Sequence, residues 1–233
     1  NHLQFFGTHL SEQERNLTVM QIEGLLDTFK DAREYGSILN VDACDWDVLE
    51  KFVDDLGTIG QISFESVGSE ETQEDLRKLV RVARNLGQKY DAVVTNPPYM
   101  GSRKGMNPKL KKYVDAYFKD SKSDLYTCFI EQGLNLAKRF GYNSLITQQS
   151  FMFTDDYKEL RNKIMYVANF INMAHMGSDA FPEISGEGVQ TTAFVLKNKF
   201  HDSNYKATYV RLVDYVCSEK SIQFKNKRNY YYA

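Results

Sequence analysis

Four consecutive residues, Asn96-Pro97-Pro98-Tyr99, combine chemical groups that can hold a flat ligand. Asn96 offers a side-chain carbonyl and an amide, and Tyr99 offers the face of an aromatic ring. The two prolines fix the backbone φ twice and remove two donors, so the loop is rigid and its carbonyls stay unpaired. The preceding run Ala92–Thr95 predicts a short buried strand, and ligands of open α/β sheets bind just past the carboxyl ends of strands. The pattern therefore predicts a binding loop at the end of a central strand.

This tetrapeptide resembles the catalytic loop of the amino-methylating, S-adenosylmethionine-dependent methyltransferases, which is Asn/Asp/Ser-Pro-Pro-Tyr/Phe/Trp after a strand. The resemblance implies that Asn96, Pro97, Pro98 and Tyr99 are catalytic. Acceptors at Asn96 Oδ1 and the Pro97 carbonyl would hold both hydrogens of an adenine amine, and Tyr99 would stack on the flipped base. S-adenosylmethionine is the implied cofactor, and the protein contributes mainly by positioning. The alternative from the residues alone is a rigid turn without chemistry.

A basic segment follows the loop. Residues 103–122 contain seven cations and only two acids, Asp115 and Asp120. Glycines and a proline predict a mobile loop up to Pro108, and charge beside a catalytic loop suits contacts with DNA phosphates. A solvated, lysine-rich helix face explains the same composition equally well. The residues predicted to bind nucleic acid are Arg103, Lys104, Lys109, Lys111 and Lys112.

A predicted helix from Asp124 to Phe140, ended by Gly141, resembles the Asp-Leu-Tyr/Phe-x-x-Phe element of the same methyltransferases. The resemblance implies that Asp124 and Tyr126 bind the cofactor. Without it, an amphipathic helix with an acid at its start is ordinary. The family also uses a second aromatic residue on the target base, for which Phe181 and Phe194 are candidates, although each is equally explained by core packing.

Residues from about 25 to 197 are similar to the adenine-specific methyltransferases of bacterial phage-defence and restriction-modification systems, especially the BREX-type (PglX) and bifunctional type II enzymes. The resemblance implies an α/β fold, a partial Rossmann-like methyltransferase fold with a mostly parallel sheet flanked by helices. No Asp/Asn-Pro-x-x-Gly-x-Gly cofactor loop is found upstream of Asn96: Gly57–Gly60 has the wrong spacing and Gly186–Gly188 the wrong location. We therefore expect an N-terminally truncated fragment, with the first strands and the glycine-rich loop before Asn1.

Other patterns predict the elements around this site. Ser11 and Glu14 form a capping box for a helix over 11–34 that ends at Gly36, and Asp45 caps a second helix. Residues 57–74 are predicted to be a loop. The remaining expectations are a strand at 37–41, a helix at 73–86, strands at 141–151, 168–175, 189–196 and 207–213, and a helix at 155–166. Expected domains are an N-terminal helical or αβ part at 1–88, a catalytic core at 89–200, and a strand with the start of a linker toward target recognition at 201–233.

Composition limits the class of protein. The 233 residues are 42% hydrophobic and 26% charged, with a net charge of −2, so positive charge for nucleic acid must be local. No apolar run approaches the roughly 18 residues that span a membrane. Three widely spaced cysteines argue against a disulfide framework or a zinc site, and favour reduced thiols in the cytoplasm.

The sequence favours a DNA adenine-N6 methyltransferase that carries the target-base half of its site. Its expected partners are double-stranded DNA and other defence-system proteins. A protein-glutamine methyltransferase uses the same tetrapeptide on an amide nitrogen, but the basic segment favours DNA. A non-catalytic DNA-binding scaffold is the third interpretation. No pattern of paired acids and lysine predicts nuclease activity.

Overall fold

In the computed structural model, which describes residues 2–55, 69–181, 189–200, 204–226 and 230–233, the chain divides into two units, Asn1–Gln88 and Lys89–Ala233. The regular elements described in the first unit are all helices. Its apolar core includes Phe6, Ile22, Leu49 and Phe52, with the rings of Phe6 and Phe52 5.9 Å apart. Its α-helices are α1 (Glu12–Thr28), α2 (Ala32–Tyr35), α3 (Trp46–Asp54) and α4 (Ser69–Gly87), with 3-10 turns at His2–Phe5 and Gly36–Ile38.

Both predicted helix starts are confirmed. Ser11 and Glu14 form the reciprocal capping box at α1, and the Asp45 carboxylate accepts from the Val48 amide at the start of α3. The predicted helix over 11–34 is wrong in its continuity, because α1 ends at Thr28 and α2 forms separately. Gly36 follows α2 with φ +56°, a conformation that favours glycine.

The predicted strand at 37–41 is also wrong. Its first residues form the 3-10 turn, and Ile38 and Leu39 are buried without joining a strand. Their apolar character therefore reflects core packing. The predicted loop at 57–74 lies outside the described residues up to position 68, whereas 69–74 belong to α4. The predicted helix at 73–86 is confirmed as part of α4.

The second unit contains a six-stranded sheet, counted over the described residues, in the order β1-β2-β4-β3-β5-β6. Strands β1, β2, β3 and β5 run in one direction, as a mostly parallel sheet requires, and β4 and β6 run in the other. Three of the five neighbouring pairs are consequently antiparallel, which the sequence analysis did not anticipate. The strands are β1 (Tyr90–Thr95), β2 (Ala137–Gln148), β3 (Asn169–Gly177), β4 (Thr191–Lys197), β5 (Thr208–Arg211) and β6 (Tyr230–Tyr232).

Helices flank this sheet, as the predicted fold class requires. They are α5 (Pro108–Tyr117), α6 (Leu125–Leu136), α7 (Lys158–Val167) and α8 (Cys217–Phe224), with 3-10 turns at Gln149–Met152 and Asp155–Tyr157. The predicted helix at 155–166 and the predicted strands at 141–151, 168–175, 189–196 and 207–213 correspond to α7, β2, β3, β4 and β5. The described part of 201–233 belongs to the second unit, and the predicted domain roles stay predictions.

Strand β1 departs from its predicted burial. It lies at an end of the sheet order and, among the described residues, pairs only with β2. The Val94 side chain is 75% exposed. The predicted strand exists, but its description as buried is wrong, because burial depends on neighbours that a local apolar run does not reveal.

The predicted helix from 124 to 140 is too long. Helix α6 ends at Leu136, and Ala137 pairs with Tyr90 at the start of β2. Phe140 has φ +68°, which interrupts the regular strand before Gly141. Pairing with β1 therefore replaces the last predicted helical turn.

The core of the second unit lies between the sheet and helices α6 and α7. Phe194 on β4 is buried there, with its ring 5.3 Å from that of Phe151 and 5.9 Å from that of Phe170. Of its two proposed roles, core packing is the one that the structure supports. Among the described residues, no helix has the length and apolarity needed to cross a membrane.

Candidate active site

The loop Asn96–Tyr99 begins directly after the carboxyl end of β1, as predicted. Asn96 and Pro98 are exposed, whereas Pro97 is buried and anchors the loop to the protein. The Tyr99 side chain is 37% exposed. The amide of Asn96 and part of the Tyr99 ring are therefore open to a ligand, on a backbone that the prolines make rigid.

Three hydrogen bonds tie the end of this loop to the start of α6. The Met100 amide donates to Asp124 Oδ1 at 2.9 Å, and the Leu125 amide donates to the Met100 carbonyl at 3.0 Å. The Ser102 amide donates to the Ser123 carbonyl at 3.0 Å. The two motifs singled out in the sequence, 24 residues apart, thus meet at one place.

Asp124 is the N-cap of α6, and its Oδ1 also accepts from the Tyr126 amide at 3.3 Å. The carboxylate is half-buried, and desolvation raises its pKa despite the backbone amides that lower it. Among the described residues other than its chain neighbours, a Cβ added at Gly101 would have one atom within 4 Å, Asp124 Oδ2 at 3.6 Å. The glycine therefore leaves open space beside a carboxylate oxygen, which suits a ligand with hydroxyl or ammonium donors.

Three tyrosines form a row behind the loop. The Tyr99 and Tyr126 rings form a T-shaped pair, with centroids 5.7 Å apart and planes at 82°, and the centroid of the Tyr157 ring is 6.1 Å from that of Tyr126. The Tyr126 hydroxyl is 2.8 Å from Ser150 Oγ. Desolvation raises the pKa of all three phenols, so they remain neutral and hydrogen-bonding at neutral pH.

Tyr126 has no exposed surface. Its ring supports Tyr99, and a direct contact with a bound cofactor would require rearrangement. Sequence reasoning assigned no role to Ser150 or Tyr157, although Ser150-Phe151 resembles the end of a segment in the same methyltransferases. Their contacts with Tyr126 arise only from how the turn after β2 packs against α6.

The basic segment lies next to the loop in the chain. A turn closed by the hydrogen bond from the Gly105 amide to the Gly101 carbonyl, 2.9 Å long, leads to α5, where Asn107 accepts from the Leu110 amide. Leu110 and Val114 are buried, so α5 is held by one apolar face. All five residues predicted to contact phosphates have exposed side chains, namely Arg103, Lys104, Lys109, Lys111 and Lys112.

A second aromatic residue for the target base is not established. Phe181 is partly buried at the end of a described segment, and positions 182–188 lie outside the described residues. Phe153 is an exposed ring after β2, 5.8 Å from the ring of His175. His175 follows Ala174 on β3 and hydrogen-bonds Gln149, so these residues lie at the sheet end from which Asn96 leaves β1.

A protein-family model described as the Eco57I restriction-modification methylase matches residues 4–181. The chain belongs to this family. It is 40% identical over 201 residues to the adenine-specific methyltransferase BrxX of Escherichia coli O9:H4 (strain HS). The aligned region covers 86% of the chain and 16% of that relative. It is also 40% identical over 204 residues to the adenine-specific methyltransferase PglX of Lacticaseibacillus casei (strain Zhang), covering 87% of the chain and 17% of the relative.

The chain thus spans about a sixth of the length of the curated relatives it matches. Among solved structures, a nuclease-deletion mutant of the Type ISP restriction-modification enzyme LlaGI with a DNA substrate mimic matches 94% of the chain and 22% of its own chain. The TM-score is 0.47, with 16% sequence identity.

Proposed function

We propose that this chain carries the target-base half of an S-adenosylmethionine-dependent DNA methyltransferase that modifies the N6 amine of adenine. The observation that carries the proposal is the junction of two motifs: Asn96-Pro97-Pro98-Tyr99 leaves the carboxyl end of β1 and is tied through Met100 to Asp124. Membership of the methylase family and 40% identity to two adenine-specific methyltransferases support it.

The loop would hold the amine. Its lone pair is delocalised into the adenine ring, so acceptors at Asn96 Oδ1 and the Pro97 carbonyl that take both hydrogens favour a pyramidal nitrogen. The exposed part of the Tyr99 ring would stack on the flipped base, which keeps the amine at a fixed height. These residues act by orientation, so no covalent enzyme intermediate is required.

S-adenosylmethionine would supply an electrophilic methyl group. Asp124 fits such a cofactor, since its Oδ2 faces the open space at Gly101 while Oδ1 is occupied by two amides. Tyr126 would act indirectly, because its buried ring packs against the Tyr99 ring and holds it in place. The predicted cofactor loop is not among the described residues upstream of β1, so Asp124 would provide only part of the cofactor site.

Double-stranded DNA is the proposed substrate, with the exposed cations of the turn after Tyr99 and of α5 on its phosphates. Those cations are Arg103, Lys104, Lys109, Lys111 and Lys112. We also propose that the protein acts in the cytoplasm and works together with other proteins of a defence system.

Transfer of labelled methyl groups to plasmid DNA, by a protein that contains this chain together with the glycine-rich cofactor loop, tests the proposal, with N6-methyladenine identified by nucleoside mass spectrometry. Tyr99→Ala should lower the rate roughly 5- to 150-fold, which corresponds to losing about 1–3 kcal/mol of stacking. Tyr142→Ala is a matched control, because Tyr142 is 42% exposed and lies on β2 away from the loop. Label in protein glutamine instead of DNA, or equal rates for Tyr99→Ala and wild type, would overturn the assignment.

A further inference from the structure

A large open cavity lies at the opposite end of the sheet from the Asn96–Tyr99 loop. Its volume is about 880 Å³, and the start of β2, the second half of α6 and one face of α7 line it. Since Tyr90 pairs with Ala137 at this end and Thr95 precedes the catalytic loop at the other, the length of β1 separates the two sites. The proposed methyl transfer makes no use of this cavity.

The floor of the cavity is apolar and its rim carries aromatic rings. Leu134, Leu160 and Ile164 form part of the floor. Phe140 and Phe200 stand at the rim with 50% and 65% of their surface exposed. Exposed rings beside an apolar floor offer a place for a flat, weakly polar group.

The backbone holds Phe140 in an uncommon conformation. Its φ is +68°, a region that bulky side chains rarely adopt. Hydrogen bonds from the Phe140 amide to the Asn198 carbonyl, 2.7 Å, and from the Asn198 amide to the Gly141 carbonyl, 2.8 Å, fix that conformation. Residues held in this way concentrate at ligand sites, where the surrounding structure maintains them.

Positive charge surrounds the same opening. The lining contains five cations, namely Lys89, Lys138, Arg139, Lys163 and Lys199, and the acid Glu131. Lys163 pairs with Glu131 and Asp120, and Lys138 pairs with Asp91. The Arg139 guanidinium lies 4.9 Å from the centre of the Phe140 ring, which places an anion-binding group directly beside an aromatic face.

We propose that this cavity binds a nucleotide, with the base against the rim aromatics and the phosphate on Arg139 and the neighbouring lysines. The cavity volume lies within the range of about 300–1,000 Å³ that is typical for small-molecule sites. An aromatic ring and an anionic group, a few ångströms apart, are the two features of a nucleotide that the lining complements. The ligand is either a free nucleotide or a nucleotide within a single strand of nucleic acid.

Titration of the protein with ADP, adenosine, inorganic phosphate and a 5′-phosphorylated single-stranded oligonucleotide, followed by amide chemical shifts, tests the proposal. We expect ADP to perturb Arg139, Phe140 and Lys199, and adenosine and phosphate alone to bind more weakly. Binding of ADP identifies a free nucleotide as a sufficient ligand, and binding of the oligonucleotide alone identifies a strand. Shifts confined to Arg103 and Lys111 would overturn the proposal, as would the absence of shifts with every probe.

Arg139→Ala and Phe140→Ala should each weaken nucleotide binding about tenfold, the effect of losing one charged or stacking partner. Lys225→Ala and Tyr231→Ala are matched controls, because they remove an exposed cation and an exposed ring elsewhere in the same unit. Unfolding curves establish that each variant is folded, and Phe200→Ala provides a second ring variant. Equal weakening in the controls, or equally strong competition by a poly-glutamate peptide, would overturn the nucleotide assignment.

Discussion

The Tyr99 and Tyr126 rings form a T-shaped pair, with ring centroids 5.7 Å apart and planes at 82°. Tyr126 is fully buried and hydrogen-bonded to Ser150, so the exposed residue of the proposed base platform rests on a fixed one. Edge-to-face pairs of this kind are favourable beyond the area that they bury. The orientation of Tyr99 is therefore set by the helix that follows its loop as well as by the two prolines.

Removing the Tyr126 hydroxyl tests this support. Tyr126→Phe keeps the ring but loses the bond to Ser150, so we expect the free energy of unfolding to fall by about 0.5–1.5 kcal/mol. Tyr126→Ala should cost about 3–5 kcal/mol, because it also opens a cavity beneath Tyr99. Urea denaturation measures both changes.

Ser150→Ala and the double variant complete a thermodynamic cycle, which should show coupling between the two hydroxyls. Tyr230→Phe is the control, because its hydroxyl donates to the Phe224 carbonyl at an exposed position. Additive losses for Tyr126→Phe and Ser150→Ala would contradict the proposed support.

Replacing Asp124 tests the tie between the Asn96–Tyr99 loop and α6. Asp124→Ala should lower the free energy of unfolding by about 1–2 kcal/mol, since both the N-cap and the acceptor for the Met100 amide are lost. Asp124→Asn should retain most of the stability, because asparagine caps helices about as well as aspartate.

The stability of the wild type should also depend on pH through Asp124. Burial raises the pKa of this carboxyl above its unfolded value near 3.8, so the folded state binds the proton more tightly than the unfolded state. Its contribution to stability is therefore present below that value and is lost as pH rises through the higher folded pKa. Asp124→Asn should remove this loss, so its stability should fall less than that of the wild type as pH rises above the unfolded aspartate value. Identical pH profiles would contradict the raised pKa.

Gly133 in α6 should not tolerate alanine. The Asn143 amide packs on Gly133, and an added Cβ would lie 2.6 Å from Asn143 Cγ. Alanine usually stabilises a helix relative to glycine by about 0.5–1 kcal/mol. Here overpacking should outweigh that gain and lower the free energy of unfolding by about 1–3 kcal/mol. Thermal unfolding shows whether Gly133→Ala raises or lowers the stability.

Gly24 in α1 is the matched control. Apart from the backbone of α1 itself, no described heavy atom lies within 4 Å of a Cβ added there, so Gly24→Ala should raise stability through helix propensity alone. A stabilising Gly133→Ala would mean that Asn143 moves aside at little cost.

Charge reversal on α5 tests the predicted phosphate contacts. Lys111→Glu with Lys112→Glu should weaken binding of duplex DNA and make the slope of log affinity against log salt shallower by about two, if each lysine neutralises one phosphate. Fluorescence anisotropy over a range of salt concentrations provides both values.

The pair Lys30→Glu and Lys51→Glu changes the net charge equally at exposed positions of the first unit. Its salt slope should match that of the wild type. If both pairs change the slope alike, the α5 lysines form only a solvated face.

Local sequence was sufficient wherever a structure depends on neighbours in the chain. The capping box of Ser11 and Glu14 and the cap of Asp45 form within one helical turn, and both were predictable. The loop after β1 was predictable for the same reason, because Pro97 and Pro98 constrain their own backbone whatever lies around them.

Features that depend on distant partners were not predictable. Val94 looked buried, but its exposure depends on what pairs with and covers β1. Residues 137–140 looked helical, but Ala137 pairs with Tyr90 on another strand. The antiparallel pairing of β4 between β2 and β3 likewise has no local signal.

The sequence by itself determined the family and the chemical groups of the candidate site, because Asn96-Pro97-Pro98-Tyr99 and the helix start at Asp124 are contiguous motifs. Tertiary structure decided that Asp124 ties the loop through Met100, that Tyr126 supports Tyr99 from a buried position, and that Ser150 holds Tyr126. The physical reason is that the local sequence gives the types and order of the side chains, whereas their burial and orientation come from contacts between residues far apart in the chain.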